Sequence, residues 1–227
     1  MTARLRWAPK EAAAHLVEAD AKLAPIISRV GPPRIAIEPR VTLFDALARA
    51  IVYQQLNSKA AQTIHERFLR AAGSPLSSAE WGARGFGAGG TDPKRVLRLS
   101  DETLRRVGLS RGKQAAIRDL AERALTRRLP TLEELSELED NAVVDALTEV
   151  RGVGPWTVHM LLIFRLGRPD VLPTTDFGVR KGFATVHRKR ALPTPKALER
   201  HAEKWRPFRS AASWYLWRAL ELASAAR

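Results

Sequence analysis

The sequence predicts an all-α fold of about ten helices joined by short loops. Helix-forming Ala, Leu, Arg and Glu are abundant, whereas alternating runs of Val, Ile and Thr are scarce. The one strand-like stretch, residues 34–38, is short. Because 45% of the 227 residues are hydrophobic, the chain can bury a sizeable core.

Cap residues and helix breakers divide the chain into successive helices. Thr42 and Asp45 form a capping-box pattern that opens a helix to about residue 55, and Asn57 and Ser58 break and restart it. Residues 73–93 hold six glycines and two prolines and predict a loop. Further helices are predicted at residues 59–72, 101–108, 111–129, 132–138, 141–150 (capped by Asp140 or Asn141), 156–166, 176–184, 195–205 and 208–225.

The charge of the chain favours a polyanionic partner. Lys and Arg number 38 against 24 Asp and Glu, a formal charge of +14, which favours nucleic acid first and an anionic membrane surface second. A generally basic proteome would give the same balance. The absence of cysteine excludes disulfide scaffolds, thiol nucleophiles and cysteine-ligated zinc or iron–sulfur sites. Without a secretory signal or a membrane-length apolar run, we expect a cytoplasmic protein, nucleoid-associated in a bacterium.

The most informative short segment lies between two predicted helices, at residues 150–157. Gly152 and Gly154 permit a positive φ and close approach of another backbone. Pro155 suits a first helical position, where its missing N–H has no partner to lose. The following helix would point free N–H groups at the turn, which is the geometry of an anion site. An ordinary turn between two helices is the alternative interpretation.

Two segments, LTEVRGVGPWTVHMLLIF and RPDVLPTTDFGVRKG, resemble the helix-hairpin-helix and Gly/Pro-Asp signature of the HhH-GPD DNA glycosylase superfamily. Three more segments are similar to the 3-methyladenine DNA glycosylase II branch of that superfamily: ARAIVYQQLNSKAAQTI, VGLSRGKQAAIRDLA and AEKWRPFRSAASWYLW. The resemblance implies the compact form without an N-terminal sheet domain. Two helical subdomains would flank a cleft: residues 41–165 with the hairpin, and residues 1–40 plus 166–227 with a catalytic aspartate.

Asp176 is the candidate catalytic residue. Its position alone favours a helix N-cap, but the resemblance places the superfamily's catalytic aspartate here. Cleavage of an N-glycosidic bond builds positive charge on the sugar, which a carboxylate stabilises. The other carboxylates considered as a second acid, Asp45, Asp119 and Glu203, have no motif support. Trp156 stands where the bifunctional members carry a Schiff-base lysine, so strand cleavage is not expected.

The resemblance also implies a base pocket, a DNA wedge and a phosphate clamp. Trp156, Trp217 and Tyr53 would line the pocket, with Trp214 and Tyr215 as additional candidates. Leu56, flanked by Gln55 and Asn57, would fill the gap left by a flipped nucleotide; packing under its own turn is the alternative. Arg218 replaces an aromatic residue of some relatives. The candidate phosphate contacts are Gly152, Gly154, Lys59, Arg111, Lys113, Arg180 and Lys181. The backbone carbonyls of Thr148, Val150 and Val153 would hold an alkali cation, Na⁺ or K⁺.

These observations predict a monofunctional DNA glycosylase that excises alkylated purines of the 3-methyladenine and 7-methylguanine type. The expected partner is double-stranded DNA, not a membrane, and the expected state is a monomer with no required cofactor. A glycosylase for oxidised or deaminated bases is one alternative. A non-catalytic DNA-binding module that uses only the hairpin is another.

Overall fold

The protein is described here by a computed structural model that covers residues 5–37, 42–73 and 91–225. Within these residues all regular structure is helical, which confirms the all-α prediction. The helices are α1 Pro9–Ala19, α2 Ala24–Val30, α3 Leu43–Tyr53, α4 Ser58–Ala71, α5 Pro93–Arg98, α6 Asp101–Arg106, α7 Arg111–Leu125, α8 Leu132–Glu137, α9 Asp140–Thr148, α10 Pro155–Phe164, α11 Phe177–Val186, α12 Pro195–Ala202 and α13 Arg209–Ala225. A 3₁₀ turn at Glu203–Trp205 precedes α13. None of the described helices is long and apolar enough to cross a membrane.

The predicted helix starts agree well with the capping hydrogen bonds. The side chain of Thr42 accepts from Asp45 N at 3.1 Å, and that of Asn57 accepts from Ala60 N at 2.9 Å. One predicted cap is wrong: Glu139 stands at the N-cap of α9 without a side-chain hydrogen bond, and Asp140 is the first helical residue. The Glu139 side chain makes no capping hydrogen bond. The prediction placed the cap one or two positions too late, because Asp and Asn are favoured N-cap residues.

Three helices, α1, α2 and α5, were not predicted. Each has proline within its first two positions, which suits a helix start, yet none has a long apolar period. The predicted loop at residues 73–93 ends earlier, because Pro93 begins α5; residues 74–90 lie outside the described residues. The strand-like residues 34–37 have irregular backbone, and residue 38 is likewise outside the described range.

The chain divides into two compact units, Glu38–Val158 and the combination of Met1–Ile37 with His159–Arg227. In the first unit, α3 packs against α4 and α7, and α5 packs against α7. In the second, α13 packs against α1, α2 and α11. Helix α10 carries residues of both units. The two subdomains expected from the resemblance, residues 41–165 and residues 1–40 plus 166–227, stay a prediction.

A buried histidine in the first unit gives stability a pH dependence. The His65 residue is 2% exposed, and burial together with the nearby Arg49 lowers its pKa from 6.5 to about 4, against the opposing effect of Glu66. Below pH 6.5 the unfolded chain therefore binds a proton that the folded chain refuses. The stabilising contribution is present above pH 6.5 and is lost as the pH falls toward 4.

We expect this group to lower the free energy of unfolding by about 3 kcal/mol between pH 7 and pH 4. Urea unfolding of wild type and His65→Leu at several pH values measures it. As the pH falls from 7 to 4, wild type should lose about 3 kcal/mol of stability relative to His65→Leu, which lacks the titrating group. An identical pH profile for both proteins would contradict the assignment to His65.

Candidate functional site

Asp176 is the N-cap of α11, as the sequence predicts, and its carboxylate is held by two donors. Its Oδ1 accepts from the backbone N–H of Val179 at 2.6 Å and from the indole N–H of Trp217 at 2.9 Å. The first bond is a helix cap, which ties the carboxylate to the start of α11. The second comes from α13 and fixes the carboxylate direction. The structure thus joins two residues that stand 41 positions apart in the sequence.

A close crossing of two helices makes the Asp176–Trp217 pair possible. A Cβ atom on Gly178 would lie 2.8 Å from Trp217 Cδ1 and 3.0 Å from Asp176 Oδ1. One turn later, a Cβ on Gly182 would lie 2.2 Å from the carbonyl oxygen of Leu216. Only glycine at these two positions lets α11 approach α13 so closely.

Two aromatic residues near this carboxylate were missed in the sequence analysis. The ring of Phe164 lies 5.8 Å from that of Trp217, centroid to centroid. Phe177, the first residue of α11, is 67% exposed although it is large and apolar. The signal that could have found Phe177 is an aromatic residue directly after an Asp that caps a helix. Trp214 and Tyr215, in contrast, are buried, and the Tyr215 hydroxyl donates to the Gly31 carbonyl.

The hairpin between α9 and α10 has two glycines with different roles. Gly152 has φ +79°, and a Cβ there would lie 3.1 Å from the Cβ of Ala116. Gly154 permits a positive φ but does not adopt one. A Cβ on Gly154 would meet no atom within 4 Å. Gly152 is therefore required by the fold, whereas Gly154 leaves room for an external group.

The turn that carries Leu56 is anchored to the hairpin by polar contacts. The amide of Gln54 donates to the carbonyl of Gly152 at 2.7 Å. The ammonium of Lys113 donates to the carbonyls of Val52 and Gln54 at 2.8 and 2.9 Å, at the end of α3 where the helix dipole favours a cation. Burial lowers the pKa of Lys113. Lys113 thus stabilises the turn through these hydrogen bonds. A phosphate contact through Lys113 stays a prediction, and it would require the ammonium to break its bonds to the two carbonyls.

The turn itself presents Leu56 to solvent. Gln55 has φ +57°, a left-handed conformation that non-glycine residues rarely adopt. Leu56 is 38% exposed, so the alternative that it packs under its own turn does not describe its side chain. Asn57 uses its side-chain oxygen to cap α4. Of the three residues predicted for the wedge, Leu56 has the free apolar surface and its neighbours shape the turn.

The predicted pocket residues of the first unit differ in exposure. Trp156, in the first turn of α10, is 45% exposed. Tyr53 is half-buried: the guanidinium carbon of Arg49 lies 4.2 Å from its ring centroid, and the ring of His65 meets it edge-on at 5.9 Å. Trp156 can therefore offer a ring face to a ligand, whereas Tyr53 already has a cation over its ring.

The remaining candidate phosphate contacts fall into two groups. Lys59, Arg111 and Lys181 are exposed and stand in the first turn of α4, the first turn of α7 and the middle of α11. Arg180 is half-buried and donates from Nε to the carbonyl of Pro193 at 2.9 Å. The three exposed side chains can reach a ligand from solvent, whereas Arg180 already donates a hydrogen bond within the protein.

The three other carboxylates considered as acids have structural partners. Asp45 is buried, where its side chain accepts from the Thr42 hydroxyl at 2.6 Å and from Thr91 N at 3.0 Å. Asp119 accepts from the backbone N–H of Arg151 at 2.8 Å and so braces the hairpin. Glu203 pairs with two arginines of its own segment. These contacts leave Asp176 as the carboxylate with both motif support and an aromatic donor.

Replacement of the two hairpin glycines by alanine should separate fold from ligand binding. Gly152→Ala should lower the free energy of unfolding by about 1–2 kcal/mol, since the left-handed backbone is costly for alanine. Gly154→Ala should leave the melting temperature unchanged and weaken DNA binding about tenfold, because the new methyl group stands where a phosphate would approach. Thermal melts and fluorescence anisotropy with a duplex measure both effects. Unchanged DNA affinity of Gly154→Ala would contradict a clamp at this glycine.

Residues 48–207 match the family described as HhH-GPD superfamily base excision DNA repair protein. This chain belongs to the HhH-GPD superfamily. The DNA-3-methyladenine glycosylase 1 of Schizosaccharomyces pombe is 35% identical over 180 residues, which cover 79% of this chain and 73% of that protein.

Two solved HhH-GPD structures are similar over nearly the whole chain. The 3-methyladenine DNA glycosylase of Schizosaccharomyces pombe in complex with abasic DNA gives a TM-score of 0.77 at 33% identity and covers 94% of this chain and 98% of that one. The DNA-3-methyladenine glycosidase of Bacillus halodurans also gives 0.77, at 31% identity, covering 94% and 91%. The resemblance inferred from the sequence is thereby confirmed.

Proposed function

We propose that this chain is a monofunctional DNA glycosylase that hydrolyses the N-glycosidic bond of alkylated purines in base excision repair. One observation carries the proposal: a carboxylate at the start of α11, oriented by the indole of Trp217, in the sequence setting of the superfamily's catalytic aspartate. The names of the similar proteins agree with this substrate class.

The proposed reaction needs a charged carboxylate beside the sugar more than it needs an acid that protonates the base. As the bond from C1′ to the base breaks, positive charge develops on the sugar, and Asp176 stabilises it electrostatically. Water then adds at C1′ and loses its proton with Asp176 as the orienting acceptor. An alkylated purine is already cationic, so it departs with the bonding electron pair without prior protonation. The indole of Trp217 lies beside Asp176, and an aromatic face favours such an electron-poor base through cation–π attraction.

DNA is held by backbone groups and by charge. The hairpin would bind a phosphate beside the lesion at Gly152 and Gly154, near the positive end of α10. Lys59, Arg111 and Lys181 would add cationic contacts, with Arg180 and Lys113 if they release their present carbonyls. Leu56 would enter the duplex where the damaged nucleotide has left it. The formal charge of +14 strengthens all of these interactions at low salt.

An alkali cation fits the donor chemistry of the hairpin. The carbonyl oxygens of Thr148, Val150 and Val153 are hard, uncharged ligands of the kind that Na⁺ and K⁺ prefer. The Val150 carbonyl already accepts from Val153 N at 3.0 Å and retains a second lone pair. When bound, the ion would add positive charge beside the phosphate. The protein would act as a monomer, since a single lesion needs only one enzyme molecule. It would act in the cytoplasm.

A panel of lesion-bearing duplexes tests the proposed function. DNA containing 3-methyladenine or 7-methylguanine should release the free base and leave an abasic site. The strand should remain intact until alkali is added, and borohydride should trap no covalent complex, because Trp156 offers no amine. Excision of 8-oxoguanine or uracil in preference to alkylpurines would favour the alternative substrate class. Tight binding of every duplex without base release would favour a non-catalytic module.

A further inference from the structure

A buried polar cluster in the second unit has no part in the proposed function. It surrounds Asp20, at the C-terminal end of α1, and is called the Asp20 cluster below. Around Asp20 Oδ2 lie His201 Nε2 at 2.9 Å, Trp205 Nε1 at 3.0 Å, Lys204 Nζ at 3.1 Å and His187 Nε2 at 3.4 Å. The side chains of Asp20 and His187 are only 3% and 6% exposed. One carboxylate oxygen is thus approached by more nitrogens than it has lone pairs.

The imidazole of His187 is the unsatisfied member of the cluster. Its Nε2 atom is buried without a hydrogen-bond partner, which is costly for a polar atom. The ring is stacked on Phe183 with centroids 4.2 Å apart, and it meets the ring of His201 nearly at a right angle, at 4.6 Å. These ring contacts fix the direction of the imidazole, and a neutral imidazole with a fixed direction is the form of histidine that binds metals.

We propose that Asp20, His187 and His201 bind a divalent transition metal ion of the Zn²⁺ class. Their ligand atoms all lie within 4.8 Å of one another. Zn²⁺ bonds of about 2.0–2.2 Å in a tetrahedron separate neighbouring ligand atoms by roughly 3.3 Å. The separations from Asp20 Oδ2, 2.9 and 3.4 Å, require only small shifts to reach this spacing. Two imidazoles and a carboxylate are a common donor set for this ion.

The contacts around Asp20 supply the outer support that a metal-binding carboxylate needs. The indole N–H of Trp205 donates to Oδ2, and the backbone N–H of Lys22 donates to Oδ1 at 3.2 Å. Such bonds fix the carboxylate direction and remain compatible with one metal bond at Oδ2. The ammonium of Lys204, 3.1 Å from Oδ2, and these N–H donors favour the charged carboxylate that a metal ion needs.

Lys204 occupies the side of the cluster that opens to solvent. Its side chain is 40% exposed and that of His201 is 28% exposed. An ammonium ion next to the carboxylate provides the positive charge that the metal would otherwise supply. When the metal enters from this side, Lys204 turns into solvent, the proton on His201 Nε2 moves to Nδ1 so that Nε2 can bind the ion, and a water molecule completes the tetrahedron. The ammonium and the metal thus compete for the same oxygen.

The ion would join three segments of the second unit. Asp20 ends α1, His187 follows α11 and His201 lies in α12. A metal at this point would stabilise the packing of the N-terminal helix against the C-terminal helices. Its role is structural, and catalysis at Asp176 does not depend on it.

Titration of tag-free, chelator-treated protein with Zn²⁺ and Co²⁺ tests the proposal. Calorimetry should give one Zn²⁺ per chain, and Co²⁺ should develop the visible absorption of a tetrahedral site. Saturating Zn²⁺ should raise the melting temperature by on the order of 5 °C. His187→Phe, which keeps the stack on Phe183, should weaken zinc binding at least about tenfold. His15 lies outside the cluster and meets the ring of Phe208 edge-on, so His15→Phe should bind zinc like wild type.

Lys204→Met distinguishes a metal site from a simple ion-pair cluster. If the ammonium competes with the metal, this variant should bind Zn²⁺ several-fold more tightly than wild type. It also keeps the test informative if His187→Phe folds poorly. No Co²⁺ absorption in either wild type or Lys204→Met would overturn the proposal. Zinc affinity that is the same in His187→Phe and His15→Phe would overturn it as well.

Discussion

Asp176→Asn should abolish base excision while the protein stays folded and binds DNA. We expect the single-turnover rate on a 7-methylguanine duplex to fall by at least about 10²–10³-fold, since the charge that stabilises the developing cation is gone. Asparagine is as good an N-cap as aspartate. Its side-chain oxygen can still accept from Val179 N and from the indole of Trp217, as Oδ1 of Asp176 does.

Asp92→Asn is the matched control for this substitution. Asp92 is also a helix N-cap, at α5, where its side chain accepts from Lys94 N at 2.9 Å. The same loss of charge at the same structural position should leave the excision rate unchanged. Equal rates for Asp176→Asn and wild type would remove Asp176 from the mechanism. A parallel loss in both variants would mean that general charge, not the site, controls the rate.

Gly182→Ala should be the most destabilising single-methyl change in the chain. The added Cβ would lie 2.2 Å from the carbonyl oxygen of Leu216 and 2.7 Å from its carbonyl carbon. Both are backbone atoms of α13, so no side-chain rotation relieves the clash. We expect a loss of on the order of 3 kcal/mol or more in the free energy of unfolding, measured by urea denaturation.

Two further glycines calibrate that result. At Gly112, in α7, a Cβ meets no atom within 4 Å, so Gly112→Ala should be neutral or slightly stabilising, as expected for alanine in a helix. Gly178→Ala should cost less stability than Gly182→Ala, because its neighbour is the Trp217 ring. It should instead slow excision by displacing Trp217 from Asp176. A Gly182→Ala protein as stable as Gly112→Ala would refute the close crossing of α11 and α13.

Local capping chemistry made much of the fold predictable from the sequence. Thr42, Asn57 and Ser110 each begin a helix where their short polar side chains reach a backbone N–H three residues later. Asp176 does the same for α11, and the hairpin glycines stand between two apolar helices. These signals act within a few residues, so one sequence is enough to find them. The family followed from such local segments in the right order.

Contacts between residues that are far apart in the sequence were decided by the tertiary structure alone. No local pattern indicates that Lys113 donates to a carbonyl at the end of α3, or that Gln54 donates to the carbonyl of Gly152 in the hairpin. Nor does it join Asp20 to His187 and His201, which lie 167 and 181 positions away along the chain. Helices α1, α2 and α5 form without strong local patterns because packing stabilises them. The physical reason is common to all of these features: a capping bond is a property of neighbouring residues, whereas the partner of a buried charge is fixed only when the chain has closed around it.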